Sequence, residues 1–171
     1  MLLRPVTSDD VALLTDLTVD AVNWTGEQRV RAEDVAADPH LARYVLDWGR
    51  TGDLGVVATD DDGGPLGAAW VRLLPADAPG WGFVAPDVPE LSVAVLEPAR
   101  GRGVGSAVLD ACLAAVRAAG HRAVSLSVED GNDRARGSYE RRGFRAVGRV
   151  GGSDTLLLDL RARGGRGTIP A

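Results

Sequence analysis

The stretch "ARGRGVGSAVL", residues 99–109, places three glycines and two arginines within its first seven residues. It lies between the apolar run "LSVAVL" and a long apolar segment that predicts a helix. A loop at a helix N-terminus exposes unpaired N–H groups and the positive end of the helix dipole, and glycine lets these N–H groups converge on one oxyanion. The residues therefore predict a phosphate-binding loop, although a tight strand-to-helix turn without a ligand uses the same residue types.

Two known nucleotide-binding motifs are alternative interpretations of these residues. A Walker loop requires Gly-Lys followed by Ser or Thr, and the chain contains no lysine, which excludes it. The dinucleotide fingerprint G-x-G-x-x-G requires a third glycine where Ser106 stands, together with an acidic residue about 20 residues further on. A dinucleotide-binding oxidoreductase thus remains an alternative, and a weaker one.

A second motif follows about thirty residues later, in "NDRARGSYERRGF", residues 132–144. Together with Arg100-Gly-Arg-Gly103-Val-Gly105, it resembles the two signatures of the GNAT superfamily of acyl-CoA-dependent N-acyltransferases. The first signature is Arg/Gln-x-x-Gly-x-Gly/Ala, and the second is Asn-x-x-Ala-x-x-x-Tyr-x-x-x-Gly-Phe. The second signature is matched at Asn132, Ala135, Tyr139, Gly143 and Phe144. The resemblance extends over about residues 2–160 and is strongest from residue 90 to residue 144.

The resemblance implies acetyl-CoA as the acyl donor and no metal. Its pyrophosphate would lie on the loop N–H groups, with arginines as counter-charges, and its pantetheine arm along the strand "VAV". The cofactor-binding residues implied in this way are Val93, Ala94, Val95, Arg100, Gly101, Arg102, Gly103, Val104, Gly105, Ser106 and Asn132. A backbone N–H of Ala94 or Val95, aimed by a strand bulge, would stabilise the thioester oxygen.

The same resemblance assigns the proton transfers. Tyr139 would be the general acid that protonates the departing thiolate, and Glu90 would be the base that deprotonates the amine, with Glu129 a weaker candidate. A core tyrosine and a solvent-exposed strand-end carboxylate are the structural alternatives for Tyr139 and Glu90. The expected reaction is direct attack of a primary amine, from a small molecule or a peptide, within a ternary complex.

The acceptor site is expected in two loops, "NWTGE" and "GWGFVAPD". Aromatic and acidic side chains there suit a cationic amine, and their alternative role is to cover the edge of the core. The residues concerned are Trp24, Glu27, Trp81 and Phe83. His40 and His121 lack ligand spacing, and Cys112 lies on an apolar helix stripe, so we assign all three to structural roles.

Periodicity and turn residues predict the order β-α-α-β-β-β-α-β-α-β-β. The first strand is expected at residues 2–6, a helix at 11–21, and a second helical stretch at 32–48 that Pro39 divides. A strand–helix–strand crossover in the middle implies a parallel pair, whereas the flanking hairpins imply antiparallel pairs. The fold class is therefore α/β, a mixed and mostly antiparallel sheet with helices on both faces.

Composition limits the function classes. The 171 residues predict one domain over residues 1–162 and a disordered tail over residues 163–171. The net charge of −5 disfavours nucleic-acid binding, and neither a membrane span nor a secretory signal is predicted. The single cysteine fits the reducing cytoplasm. The resemblance also allows for a homodimer, and a non-catalytic acyl-CoA sensor on the same fold remains open.

Overall fold

The computed structural model describes residues 1–161 and contains one seven-stranded sheet with the order β1-β2-β3-β4-β5-β7-β6. The β4–β5 pair is parallel and all other neighbours are antiparallel. The predicted mixed sheet with a central parallel pair is therefore confirmed. The strands are β1 (Leu2–Pro5), β2 (Leu54–Thr59), β3 (Pro65–Arg72), β4 (Glu90–Val95), β5 (Ala123–Glu129), β6 (Arg145–Val150) and β7 (Ser153–Asp159).

Within residues 1–161, five α-helices cover the two faces of the sheet, which confirms the predicted layering. They are α1 (Val11–Val22), α2 (Ala32–Ala37), α3 (Pro39–Ala42), α4 (Val104–Ala118) and α5 (Asp133–Glu140). The α4 helix buries a stripe at a spacing of four residues, formed by Val104, Val108, Cys112 and Val116. This spacing keeps one helical face on the sheet and makes α4 the centre of one core. Helices α1 to α3 enclose a second core on the opposite face, around Leu14, Leu17 and Trp70.

The second helical stretch ends earlier than predicted. Pro39 divides it as expected, but α3 stops at Ala42, and residues 43–47 form turns and bends. The carbonyl groups of Arg43, Leu46 and Asp47 accept hydrogen bonds from the buried guanidinium of Arg72. A charged donor from β3 thus binds carbonyl groups that a longer helix would have used internally.

No helix within residues 1–161 is long and apolar enough to cross a membrane. The predicted tail at residues 163–171, and residue 162 at the predicted domain boundary, lie outside the described residues.

Candidate active site

The central parallel pair, β4 and β5, is joined at one register position, where Glu90 lies opposite Ser125. The amide N–H of Ser125 also donates to the carbonyl of Pro89 at 3.0 Å. Past this point the strands part, and a cavity of about 1060 Å³ opens between them. Its wall is formed by β4, β5, the loop before α4, α5 and the C-terminal half of α1. In open α/β sheets, ligands bind at such a division between strands.

The backbone of β4 presents alternate residues to this cavity. The N–H of Leu96 donates to the carbonyl of Leu66 at 3.0 Å, so the N–H groups two and four residues earlier also point toward β3. By the same alternation, Val93 and Val95 turn their N–H and carbonyl groups toward the gap, and Ala94 does not. Of the two predicted oxyanion donors, the geometry therefore disfavours Ala94 and leaves Val95. The expected bulge is absent from the β3–β4 pairing, which runs without a register shift.

The glycine-rich loop adopts a conformation that ordinary residues avoid. Gly101 and Gly103 have φ angles of 78° and 82°, in the left-handed region. A Cβ atom at either position would meet nothing within 4 Å, so the backbone angle and not crowding accounts for the glycines. The N–H groups of residues 101–106 donate no hydrogen bond within the described part of the chain. They form a set of free donors at the start of α4, as an anion cradle requires.

The arginines that line the cavity near this cradle differ in part from the two that were predicted. Arg100 lines the cavity, but its Nε donates to the Val95 carbonyl at 3.0 Å and its guanidinium reaches Asp20 at 3.4 Å. Arg102 is exposed and lies off the cavity wall. Arg134 and Arg141, which the sequence interpretation missed, line the cavity instead. Both lie in the second motif, and their positive charge beside the helix that faces the cavity was the signal that could have identified them.

Tyr139 projects from α5 to the cavity wall and is half-buried. Its ring packs against Phe144 with centroids 5.7 Å apart and an interplanar angle of 59°. The phenol hydroxyl makes no hydrogen bond with residues 1–161. Burial raises the pKa of Tyr139 to about 12, so the side chain is a protonated donor at neutral pH.

Glu90 begins β4 and is buried, so the alternative of a solvent-exposed strand-end acid is wrong. Its Oε1 accepts hydrogen bonds from the Tyr44 hydroxyl and the Gly82 N–H, both at 2.7 Å. Oε2 is buried and has no partner among the described residues. Burial raises the pKa of this carboxyl above its ordinary value, while both hydrogen bonds oppose the shift. A carboxyl with such a pKa accepts a proton more readily near neutral pH.

Two of the four predicted acceptor residues reach the cavity. Trp81 is exposed on the cavity wall and stacks on Tyr44, with centroids 5.5 Å apart and an interplanar angle of 14°. Trp24 lines the same cavity. Glu27 is exposed and lies off the wall, and Phe83 packs instead against the core under α1 to α3. For Phe83 the alternative of covering the core edge is therefore the better one.

Glu129 is less suited than Glu90 to act as the base, because both of its oxygens accept hydrogen bonds. Arg29 donates to its two oxygens at 2.8 and 3.0 Å, and the Trp24 indole donates at 2.6 Å. These bonds, Arg29 first, hold the pKa of Glu129 below its ordinary value. The three side chains connect the α1–α2 loop to the end of β5 beside the cavity. Asn132 also lines the cavity, but its side chain caps α5 by accepting from the Ala135 N–H at 3.3 Å.

Known proteins share this sequence pattern and this fold. The chain is 36% identical over 120 residues to a mycothiol acetyltransferase of Beutenbergia cavernae, covering 70% of this chain and 33% of that protein. The chain spans about a third of the length of the curated relatives it matches.

Two solved acetyltransferases superpose on most of the chain. A ribosomal-protein-alanine N-acetyltransferase from Brucella melitensis has a TM-score of 0.65 at 25% identity, covering 92% of this chain and 97% of that one. A phosphinothricin acetyltransferase from Sinorhizobium meliloti, solved with acetyl-CoA, has a TM-score of 0.68 at 18% identity, covering 92% and 87%. The model of the acetyltransferase (GNAT) family matches residues 19–144, and the chain belongs to that family.

Proposed function

We propose that this protein transfers an acetyl group from acetyl-CoA to a primary amine of a small molecule or peptide, by direct attack in a ternary complex. The observation that carries the proposal is a single cavity whose wall holds both the free N–H groups of the loop before α4 and the side chains of Tyr139 and Glu90. A donor site and two groups able to move protons thus share one space.

The residues present fit an acyl-CoA. The N–H groups of residues 101–106 are free and surround a left-handed turn, which suits a pyrophosphate. Val93 and the N–H of Val95 face the gap, where an amide-containing arm would extend the sheet edge. Arg134 and Arg141 add positive charge to the wall. When bound, acetyl-CoA supplies the acetyl group as a thioester.

Glu90 addresses the first chemical requirement, a neutral amine. An alkylammonium group has a pKa of about 10.4 and carries no free electron pair until it loses a proton. Glu90 is a buried carboxyl with a raised pKa on the cavity wall, so it can take that proton. The N–H of Val95 faces the gap and provides a fixed dipole where negative charge develops on the thioester oxygen.

Tyr139 stabilises the sulfur that leaves as a thiolate. A thiol has a pKa of about 8.5, well below that of Tyr139. Complete proton transfer from the resting tyrosine is therefore uphill, and the hydroxyl acts first as a hydrogen-bond donor to the sulfur. Its lack of another partner among residues 1–161 supports this role, because the proton is not committed elsewhere.

The mixed sheet argues against a dinucleotide-binding oxidoreductase. That function normally uses a doubly wound parallel sheet with the glycine-rich turn after its first strand. Here the turn follows the fourth strand, and one strand pair is parallel. Calorimetric titration with acetyl-CoA, NAD and ATP separates the two classes, and absence of acetyl-CoA binding would overturn the proposal. Thiol release with a panel of primary amines then separates an enzyme from a sensor, which would bind acetyl-CoA without turnover.

A further inference from the structure

Tyr44 is held in place by core side chains. It is buried in the turn segment that follows α3, and its carbonyl accepts a hydrogen bond from the indole of Trp70 at 3.0 Å. The neighbouring carbonyls are bound by Arg72, which is itself buried and paired with Asp53 at 2.6 Å. A buried guanidinium with five hydrogen bonds is costly to rearrange. The position of the Tyr44 ring is therefore well determined.

The Tyr44 hydroxyl connects two parts of the candidate site. It donates to Glu90 Oε1 at 2.7 Å and accepts from the N–H of Trp81 at 2.8 Å. The chain passes so close at Gly80 that a Cβ atom there would collide with both the Tyr44 hydroxyl and Glu90 Oε2. Burial is the main reason that the pKa of Tyr44 is raised, so its hydroxyl remains a donor. One buried hydroxyl thus links the carboxyl to the loop that carries Trp81.

We propose that Tyr44 is a positioning residue, which fixes the Glu90 carboxyl through Oε1 and ties the Trp81 loop to the same carboxyl. When Glu90 takes the proton of the amine, an N–H bond of the ammonium breaks, its electron pair stays on nitrogen, and an O–H bond forms on the carboxyl. The inference rests on the proposed function. It goes further because it names a residue that neither motif contains and a geometric reason for the reactivity of Glu90.

The surroundings of Glu90 predict how its pKa changes when the Tyr44 hydroxyl is removed. Tyr44 and the Gly82 N–H favour the ionised carboxyl by hydrogen bonds, and Arg43 favours it by its charge. The register partner on β3, Arg72, is bound to Asp53, and β5 contributes the uncharged Ser125. Removing the Tyr44 hydroxyl leaves burial opposed by fewer interactions. The pKa of Glu90 is therefore expected to rise.

The test compares wild type, Tyr44→Phe and Thr15→Val. Thr15 is a matched control because its hydroxyl bonds only within α1 and lies off the cavity wall. Glu90 is followed by carbon-13 NMR of labelled glutamate carboxyls, assigned with Glu90→Gln, and kcat/KM is measured against pH. We expect Tyr44→Phe to raise the titration midpoint of Glu90 by about one pH unit, and to move the acid limb of kcat/KM by the same amount. Thr15→Val should move neither.

A second substitution keeps the test valid if the Tyr44→Phe variant does not fold. Site-specific 3-fluorotyrosine at position 44 keeps the ring and hydroxyl but is a stronger donor, so Glu90 should titrate lower than in wild type. An unchanged midpoint with both substitutions would overturn the positioning role, as would a loss of kcat/KM that is uniform across pH. If the midpoints move as expected but no amine is acetylated, the inference about Tyr44 holds and the proposed function fails.

Discussion

Two glycines at opposite ends of α4 allow a direct test of the anion cradle. Gly103 precedes the helix and Gly120 follows it, and both have a φ angle of 82°. A Cβ atom at either position would meet nothing within 4 Å. Alanine at each site should therefore cost the same, about 1–2 kcal/mol for a left-handed backbone. In a domain of this size that is a fall of about 2–8 °C in Tm.

Only Gly103→Ala should weaken acetyl-CoA binding. Relaxation of the backbone away from the left-handed region would turn free N–H groups out of the cradle, and one hydrogen bond to a charged group is worth about 1.5–3 kcal/mol. The Kd for acetyl-CoA should rise about tenfold or more for Gly103→Ala and stay within about twofold for Gly120→Ala. Urea unfolding and isothermal titration calorimetry measure the two quantities. Equal losses of affinity in the two variants, or none in either, would refute the assignment of the loop.

Three further predictions concern single side chains. Tyr139→Phe should lower kcat by about tenfold to a hundredfold while calorimetry shows an unchanged Kd for acetyl-CoA, and full turnover would contradict the role of the hydroxyl. Arg72→Met should lower the free energy of unfolding by about 3–5 kcal/mol, since it leaves Asp53 buried without its partner; a loss below about 1 kcal/mol in urea unfolding would contradict this. The pKa of Asp10 is lowered, mainly because Arg4 donates a hydrogen bond to it. The pair therefore stabilises the fold at pH values above the ordinary aspartate pKa, and this stabilisation is lost as the pH falls through the lowered pKa. Asp10→Asn should therefore reduce the urea midpoint at pH 7 and leave it nearly unchanged at pH 2, and equal losses at both would exclude the pair as the cause.

The sequence predicted the architecture well because its signals are local. Alternating apolar residues predicted the strands, the four-residue stripe predicted α4, and the crossover between β4 and β5 required a parallel pair. The prediction was wrong at residues 43–48, where the helix ends early. The cause is Arg72, which lies 25–29 residues further along the chain and binds the carbonyls of this segment. No local propensity contains that information.

The candidate site also has a part that the sequence predicted and a part that it did not. The glycine-rich loop and Tyr139 were named from two motifs and Glu90 from the family resemblance, and the structure brings them to one cavity. Two of the four predicted acceptor residues, Glu27 and Phe83, lie off the cavity wall. Arg29 was missed, although its ion pair lowers the pKa of Glu129 and makes that carboxyl a poorer base. Loops offer no periodicity, so their side-chain directions could not be predicted.

By itself, the sequence determined which groups are available: free N–H donors at a glycine-rich turn, a tyrosine on a short helix and a carboxyl at the start of a strand. Only the tertiary structure decided their chemical state. Glu90 has a raised pKa because burial disfavours its charge, while Tyr44, 46 residues away in sequence, donates to Oε1 and opposes the shift. Glu129 has a lowered pKa because Arg29, 100 residues away in sequence, binds it. Desolvation and charge pairing depend on neighbours in space, and a linear pattern does not specify them.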